Sequence, residues 1–251
     1  MRTLIVQGFR NTTAPSWEWE YMLVPCMKSV KLWAERQGFD YRFYADRLDE
    51  SFDVGAWFPE HNLQRHENLY YKYQWMKDCA EYDSVYWFDS DILVWGNPAL
   101  PKDEDLFFMY KSDLLGRWPR PNMSIWGGKT SRVLHYYDWV YSVFNYKCPE
   151  PALITCFKEL SKAQLIPCIT DETFTIAYLQ EHPARLIDYA DCTWAHNWKD
   201  GQESGRWVKD LFYHLGGENK VIKFQRIMSY IMYVQLQDKR SFYKNFGNLV
   251  E

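Results

Sequence analysis

Short apolar runs alternate along this chain with longer stretches in which apolar residues recur every three to four positions. Residues 3–7 (TLIVQ) predict a first buried strand and residues 8–16 a polar loop. From 17 to 37, Met22, Leu23, Cys26, Val30 and Trp33 fall at helical spacing, and Gly38 follows as a stop signal. Residues 40–45 (DYRFYA) predict a second strand, and strand, helix, strand is the opening of a βαβ unit with a parallel sheet. A loop-like stretch, 46–66, precedes a helix expected at 69–80 and a strand at 84–88 (SVYWF) with no charge inside it. Further strands are expected at 106–110, 123–126, 185–189 and 211–214, with a Pro-rich loop at 117–122 (RWPRPN) and Gly127–Gly128 closing the strand at 123–126. Helices are expected at 130–145, 152–163, 171–181 and 222–244. There is no internal repeat, low-complexity segment or flexible linker. The pattern predicts one α/β domain over 1–251, with a mostly parallel central sheet flanked by helices.

Composition narrows the function classes. With 251 residues and 47% hydrophobic content the chain can bury a sizeable core, and a formal charge of −4 gives no electrostatic case for nucleic acid. The six cysteines (26, 79, 148, 156, 168, 192) contain no C-x-x-C pair, so zinc knuckles and dithiol redox motifs are not signalled. Cys79 and Cys156 lie in apolar-periodic stretches and read as small buried hydrophobes. The amino terminus has too short an apolar run for a signal peptide, and no apolar run is long enough to span a bilayer, so a soluble, cytoplasmic protein is expected. Aromatic residues make up 19% of the chain; they must help fill the core, and rings left in a cleft would suit the flat faces of sugars.

The candidate chemistry starts at Asp89-Ser90-Asp91. Asp-x-Asp recurs at Asp103-Glu104-Asp105, but that copy lies in a solvated charge run after Pro101 and Lys102. Asp89 and Asp91 stand instead between two apolar segments, SVYWF and Ile92-Leu93-Val94-Trp95. Two carboxylates there are expensive unless something cationic neutralises them. A hard divalent ion such as Mn²⁺ or Mg²⁺ would do so, and so would buried lysines. The carboxyl end of a sheet strand is also where open α/β folds bind ligands.

The run YDSVYWFDSDILV (82–94) resembles the nucleotide-binding strand and metal motif of glycosyltransferases with the A-type, Rossmann-like fold, and more narrowly the glycogenin and bacterial galactosyltransferase group. Lys72 stands on a helix 17 residues earlier (89 − 72), where that group carries a donor-contacting basic residue. Thr170-Asp171-Glu172-Thr173-Phe174 resembles its Asp-Gln-Asp helix start, with Glu172 where Gln is usual. His214-Leu215-Gly216-Gly217-Glu218-Asn219-Lys220 fits its His-x-x-Gly-x-x-Lys pattern. The chain departs from the group at 122–128, where Asn-Met-Ser-Ile-Trp-Gly-Gly replaces Asn-x-Gly-Val, and at Val221-Ile222, where Pro-Trp often follows the lysine.

The resemblance implies a metal ion on Asp89, Asp91 and His214 that bridges the two phosphates of a nucleotide-diphosphate sugar, a UDP-sugar in the group resembled. An imidazole can complete a carboxylate-held shell, a glycine such as Gly217 lets backbone approach a diphosphate, and Lys220 adds a point charge. Ser90 would meet the same donor. Gly8, Phe9 and Arg10, in the loop after the first strand, are placed to meet base and ribose, or form a plain turn. Tyr21 could face the base or pack in the core.

Asp171 and Glu172 are candidate catalytic residues or simple helix caps. Inversion would require one of them as base, whereas retention, the habit of the group resembled, would leave Asp171 positioning the sugar and Glu172 near the reacting face. For a carbohydrate or other hydroxyl acceptor, 118–120 and Trp194-Ala195-His196-Asn197-Trp198 are the stretches of interest. They could equally anchor loops. The division expected is a donor-binding half to about 110, an acceptor half at 111–220 and a helical segment at 221–251, which could dock on the core or touch a membrane peripherally. Two rivals remain: a non-catalytic nucleotide-sugar binder of the same fold, and an Asp-x-Asp phosphatase. The phosphatase is disfavoured because such enzymes place the pair after the first strand, where QGFRNT has no carboxylate.

Overall fold

A computed structural model describes residues 1–9, 19–45, 71–101, 105–115, 118–145, 171–188, 194–195, 211–215 and 220–246. The first strand, β1 (Thr3–Phe9), is followed by a π-helical turn (Trp19–Leu23) that runs directly into α1 (Val24–Gln37). Pro25 stands in the first turn of α1, just after the π-helical turn, where its fixed φ suits a helix. Gly38 ends the helix at φ 73°, a conformation that glycine adopts without a Cβ penalty. Then come β2 (Asp40–Ala45), α2 (Tyr71–Met76) with a 3-10 turn at Lys77–Cys79, β3 (Ser84–Asp89) and β4 (Ile92–Trp95). A long hairpin, β5 (Leu106–Leu115) and β6 (Trp118–Lys129), leads to α3 (Thr130–Asn145). The remainder is α4 (Asp171–Glu181), β7 (Arg185–Asp188), β8 (Trp194–Ala195), β9 (Leu211–His214) and α5 (Lys220–Phe246).

The main sheet has six strands in the order β2-β1-β3-β6-β5-β7. β1 is parallel to β2 and β3, β5 is parallel to β7, and β6 alone runs against its neighbours. The expected mixed α/β architecture with a mostly parallel sheet is therefore present. A second sheet, β4-β9-β8, branches off where β3 ends.

Strand alternation divides the core. Leu4, Val6, Val85, Trp87, Leu106, Phe108 and Trp126 face α2, α3 and α4. Ile5, Tyr86, Phe88, Phe107 and Ile125 face the other way, toward Val30, Trp33 and Ala34 of α1 and Ile92, Val94 and Phe212 of the small sheet. The opposite side of that small sheet, Leu93 and Tyr213, packs with Met22, Leu23 and Cys26 and with Phe224, Ile227 and Ile231 of α5. Most of the described aromatic rings are used this way, as core. Cys26 and Cys79 are buried and unbridged, as expected for Cys79, and burial pushes the Cys79 thiol up to about 12.

Three local expectations are corrected. Gly8 and Phe9 belong to β1, not to the loop after it, because Gly8 pairs with Tyr44 on one side and Asp89 on the other. The Pro-rich stretch is strand rather than loop from Trp118 onward. β3 pairs with β6 only from Ile125 to Lys129, so among the described residues the earlier part of β6 has β5 as its sheet partner. Pro119 and Pro121 thus lie where one side of the strand needs no donor, beside two register shifts. Gly127 and Gly128 continue β6 instead of closing it. A Cβ on Gly127 would lie 2.4 Å from the Val85 carbonyl oxygen, so the glycine permits close approach to β3. The expected loop at 46–66 and helix at 152–163 lie outside the described residues, as do Cys148, Cys156, Cys168 and Cys192.

Candidate functional site

β3 is an apolar strand whose last residue is Asp89; Ser90 and Asp91 turn the chain, and β4 resumes at once in the second sheet. The dyad therefore forms the seam between the two sheets. Burial of Phe88 and Ile92 on either side fixes the turn. Asp91 is 5% exposed, and Ser90 is half-buried in the turn.

β9 completes the site. It pairs antiparallel with β4 in a register that sets His214 opposite Ile92, and the Leu215 N–H donates to the Asp91 carbonyl at 3.1 Å. Phe212 locks that register by packing its ring against Trp33 (4.8 Å) and Phe88 (5.3 Å). As a result one ligand atom each from Asp89, Asp91 and His214 lies within 4.8 Å of the others. His214 Nε2 stands 3.5 Å from Asp91 Oδ1. Residues 125 positions apart (214 − 89) are thus brought together by strand pairing. Two carboxylates and one imidazole are a donor set suited to a hard or borderline divalent ion, and the spacing fits a single one.

Each carboxylate also has its own lysine. Lys72 on α2 is buried, donates to the Met123 carbonyl at 3.4 Å and pairs with Asp89 Oδ1 at 4.0 Å. Lys220, the first residue of α5, donates to Asp91 Oδ2 at 2.6 Å. The electrostatics differ accordingly. Burial raises the Asp89 carboxyl above its ordinary value, with Lys72 opposing and Asp91 adding to the rise. Burial would raise Asp91 too, but Lys220 and His214 together outweigh it and hold that carboxyl at about 2.

Sequence reasoning missed the residues that orient the dyad. Trp87 Nε1 donates to Asp89 Oδ1 at 2.7 Å. Gln7, fully buried in β1, donates through Nε2 to the Asp89 carbonyl at 3.0 Å and accepts from the Tyr41 hydroxyl at 2.9 Å. A signal existed for both. Gln7 is the one amide inside an apolar strand, and Trp87 precedes Asp89 by two residues, which puts both on one face. Behind Trp87, Trp75 stacks at 5.8 Å and Tyr44 stacks on Trp75 at 5.6 Å. The Trp75 ring covers Gly8, where a Cβ would fall 1.7 Å from a ring carbon. Gly8 therefore admits an indole beside Asp89, a packing reason for the glycine that needs no nucleotide.

The other candidates are distributed as follows. Asp171 and Glu172 open α4 as expected. Further along that helix the Thr175 hydroxyl, shared with Tyr136, also reaches Met123 Sδ at 3.0 Å. Met123 lies beyond the Phe88–Ile125 pair, on the side of β3 that ends in Asp89, so the start of α4 is held at the carboxyl end of the parallel strands. Tyr21 is exposed with its ring against Phe224 at 5.6 Å. Residues 118–120 belong to β6, and Trp194 and Ala195 form β8. Arg10, Gly217 and residues 196–198 lie outside the described residues. Among the described residues no helix is long and apolar enough to cross a membrane.

No protein-family model matches the chain, and no curated protein matches it. Among solved structures it is similar to a glycosyltransferase involved in glycosylation of the major capsid of PBCV-1. The superposition has a TM-score of 0.54 at 15% identity and covers 91% of this chain and 100% of that one. The chain shares the fold of that glycosyltransferase.

Proposed function

We propose that the chain is a metal-dependent glycosyltransferase that moves a sugar from a nucleotide-diphosphate donor, a UDP-sugar, to a hydroxyl of a carbohydrate or other acceptor. The observation that carries this reading is the β4–β9 register, which gathers Asp89, Asp91 and His214 around one point at the carboxyl end of β3. When bound there, Mn²⁺ or Mg²⁺ supplies positive charge to the leaving diphosphate. Asp89 and Asp91 would hold it through carboxylate oxygens, and His214 would add a nitrogen.

The chain's own residues do the rest. Trp87, Lys72 and Gln7 fix the carboxylate and carbonyl of Asp89, so the site is preorganised rather than assembled on binding. Lys220 supplies positive charge to the phosphates, and Gly217 lets the backbone approach them. The end of β1, with Gly8, Phe9 and Arg10, meets the nucleotide beside Ser90. Asp171 and Glu172, at the start of α4, flank the sugar. Retention of configuration, and membership of the glycogenin and bacterial galactosyltransferase group, are what the sequence resemblance implies. An inverting enzyme would use one of these two carboxylates as the base.

Calorimetry with UDP, with and without Mn²⁺, is the direct test. Binding at least tenfold tighter with the metal, and dependent on Asp91, is expected. UDP binding indifferent to the ion would remove the reading. A donor panel read by release of UDP, with the anomeric configuration of the product, then identifies substrate and stereochemistry.

A further inference from the structure

Asp91 divides its two oxygens between two cationic directions. Oδ1 faces His214, and Oδ2 accepts a 2.6 Å hydrogen bond from Lys220. A divalent ion held by Asp89, Asp91 and His214 would add two positive charges next to an ammonium already in contact with the same carboxylate. The ion and the ammonium repel one another and compete for the charge of a single carboxylate. The buried carboxylate, for its part, cannot be left with neither.

We propose that Lys220 is an exchangeable counter-ion: it neutralises Asp91 while no metal is bound, the incoming ion displaces it, and the released ammonium then takes the donor diphosphate. This rests on the metal-site reading above. Three features of the structure support the exchange. The Lys220 side chain is 42% exposed, while Asp91 beneath it is 8% exposed, so the lysine has solvent to move into and the carboxylate does not. Lys72 offers the contrast: at 6% exposure and 4.0 Å from Asp89 it is fixed, a permanent rather than an exchangeable partner. Lys220 is also the first residue of the 27-residue α5, where the helix dipole disfavours a cation unless an anion is near. Asp91 is that anion now, and a diphosphate drawn to the same helix end would succeed it.

The exchange predicts that lysine and metal oppose one another without nucleotide and cooperate with it. Mn²⁺ binding, followed by electron paramagnetic resonance of the free ion, is measured for the wild type and Lys220→Met, each with and without UDP. Lys220→Met should bind Mn²⁺ alone about tenfold more tightly than wild type, and the tightening of Mn²⁺ by UDP should shrink by about tenfold. Unchanged Mn²⁺ affinity with lost UDP coupling would make Lys220 a phosphate contact only and overturn the exchange. Weaker Mn²⁺ binding would make it a structural prop and overturn the exchange equally. No Mn²⁺ binding by either protein, with or without UDP, would instead sink the metal site itself. A measurement on unaltered protein covers the case of a misfolded variant: acylation of the Lys220 amine, read by peptide mass spectrometry. It should speed up with Mn²⁺ alone and slow again when UDP is added. A rate indifferent to Mn²⁺ overturns the proposal.

Discussion

Asp91 is stabilised as an anion by Lys220 and His214, and this has a consequence for acid stability in metal-free protein. Its carboxyl is depressed to about 2, below the ordinary value near 3.9 that it regains on unfolding. The unfolded chain therefore binds more protons through this group across that window. Its stabilisation is complete above about pH 4 and is lost as pH falls toward about 2. The contribution is on the order of 2 kcal/mol. Denaturant titrations with chelator present should find Asp91→Asn less stable than wild type at pH 6, with the gap closing as pH is lowered to about 2. A constant gap would mean that Asp91 is not ionised in the fold. Gly8 argues at the same scale through packing. A methyl there meets the Trp75 ring, which is itself held between Tyr44 and Trp87 and cannot turn aside cheaply. Gly8→Ala should cost about 1–3 kcal/mol in the same assay. Because Trp87 donates to Asp89, it should weaken Mn²⁺ binding as well.

At the level of elements, the strands and helices with clear periodicity were legible from sequence, and so was the dyad's place at the end of an uncharged strand. Residues 40–45, 130–145, 171–181 and 211–214 form the elements expected of them. What local pattern could not supply is pairing. Pro119 and Pro121 argue for a loop until it is known that β3 stops short of them. Gly8 argues for a turn until Trp75 is seen to fill its place. His214 had to be joined to Asp91 through a family resemblance, since nothing in residues 211–214 announces that they pair with 92–95. That pairing rests on Phe212, buried between Trp33 and Phe88. Phe212→Ala should cost about 3–5 kcal/mol in unfolding experiments. It should also weaken Mn²⁺ binding, although Phe212 is no ligand, because β9 loses the anchor that sets His214 opposite Ile92. Full metal affinity in a destabilised variant would mean that the register is held elsewhere.

On the scale of the whole molecule, the site sits where three elements meet: the main sheet with Asp89, the small sheet with His214 and the turn that carries Asp91 into it, and α5 with Lys220. α5 and the small sheet share a core of their own, Leu93, Tyr213, Leu215, Phe224, Ile227 and Ile231, apart from the one that buries Trp87. A ligand contacting all three adds polar links to the apolar ones that Ile92, Val94 and Phe212 already make with the main sheet. Occupancy of the site should therefore protect more than the residues it touches. With Mn²⁺ and UDP together, amide exchange should slow in β9 and in the first turns of α5 as well as at Asp89–Asp91. Mn²⁺ alone should protect β3, β4 and β9 but leave the start of α5 as it was or faster, since the ion and Lys220 are rivals for Asp91. Protection confined to Asp89–Asp91 under both conditions would mean that the ligand binds the dyad without joining the elements around it. The C-terminal helix would then be a packing element with no part in donor binding.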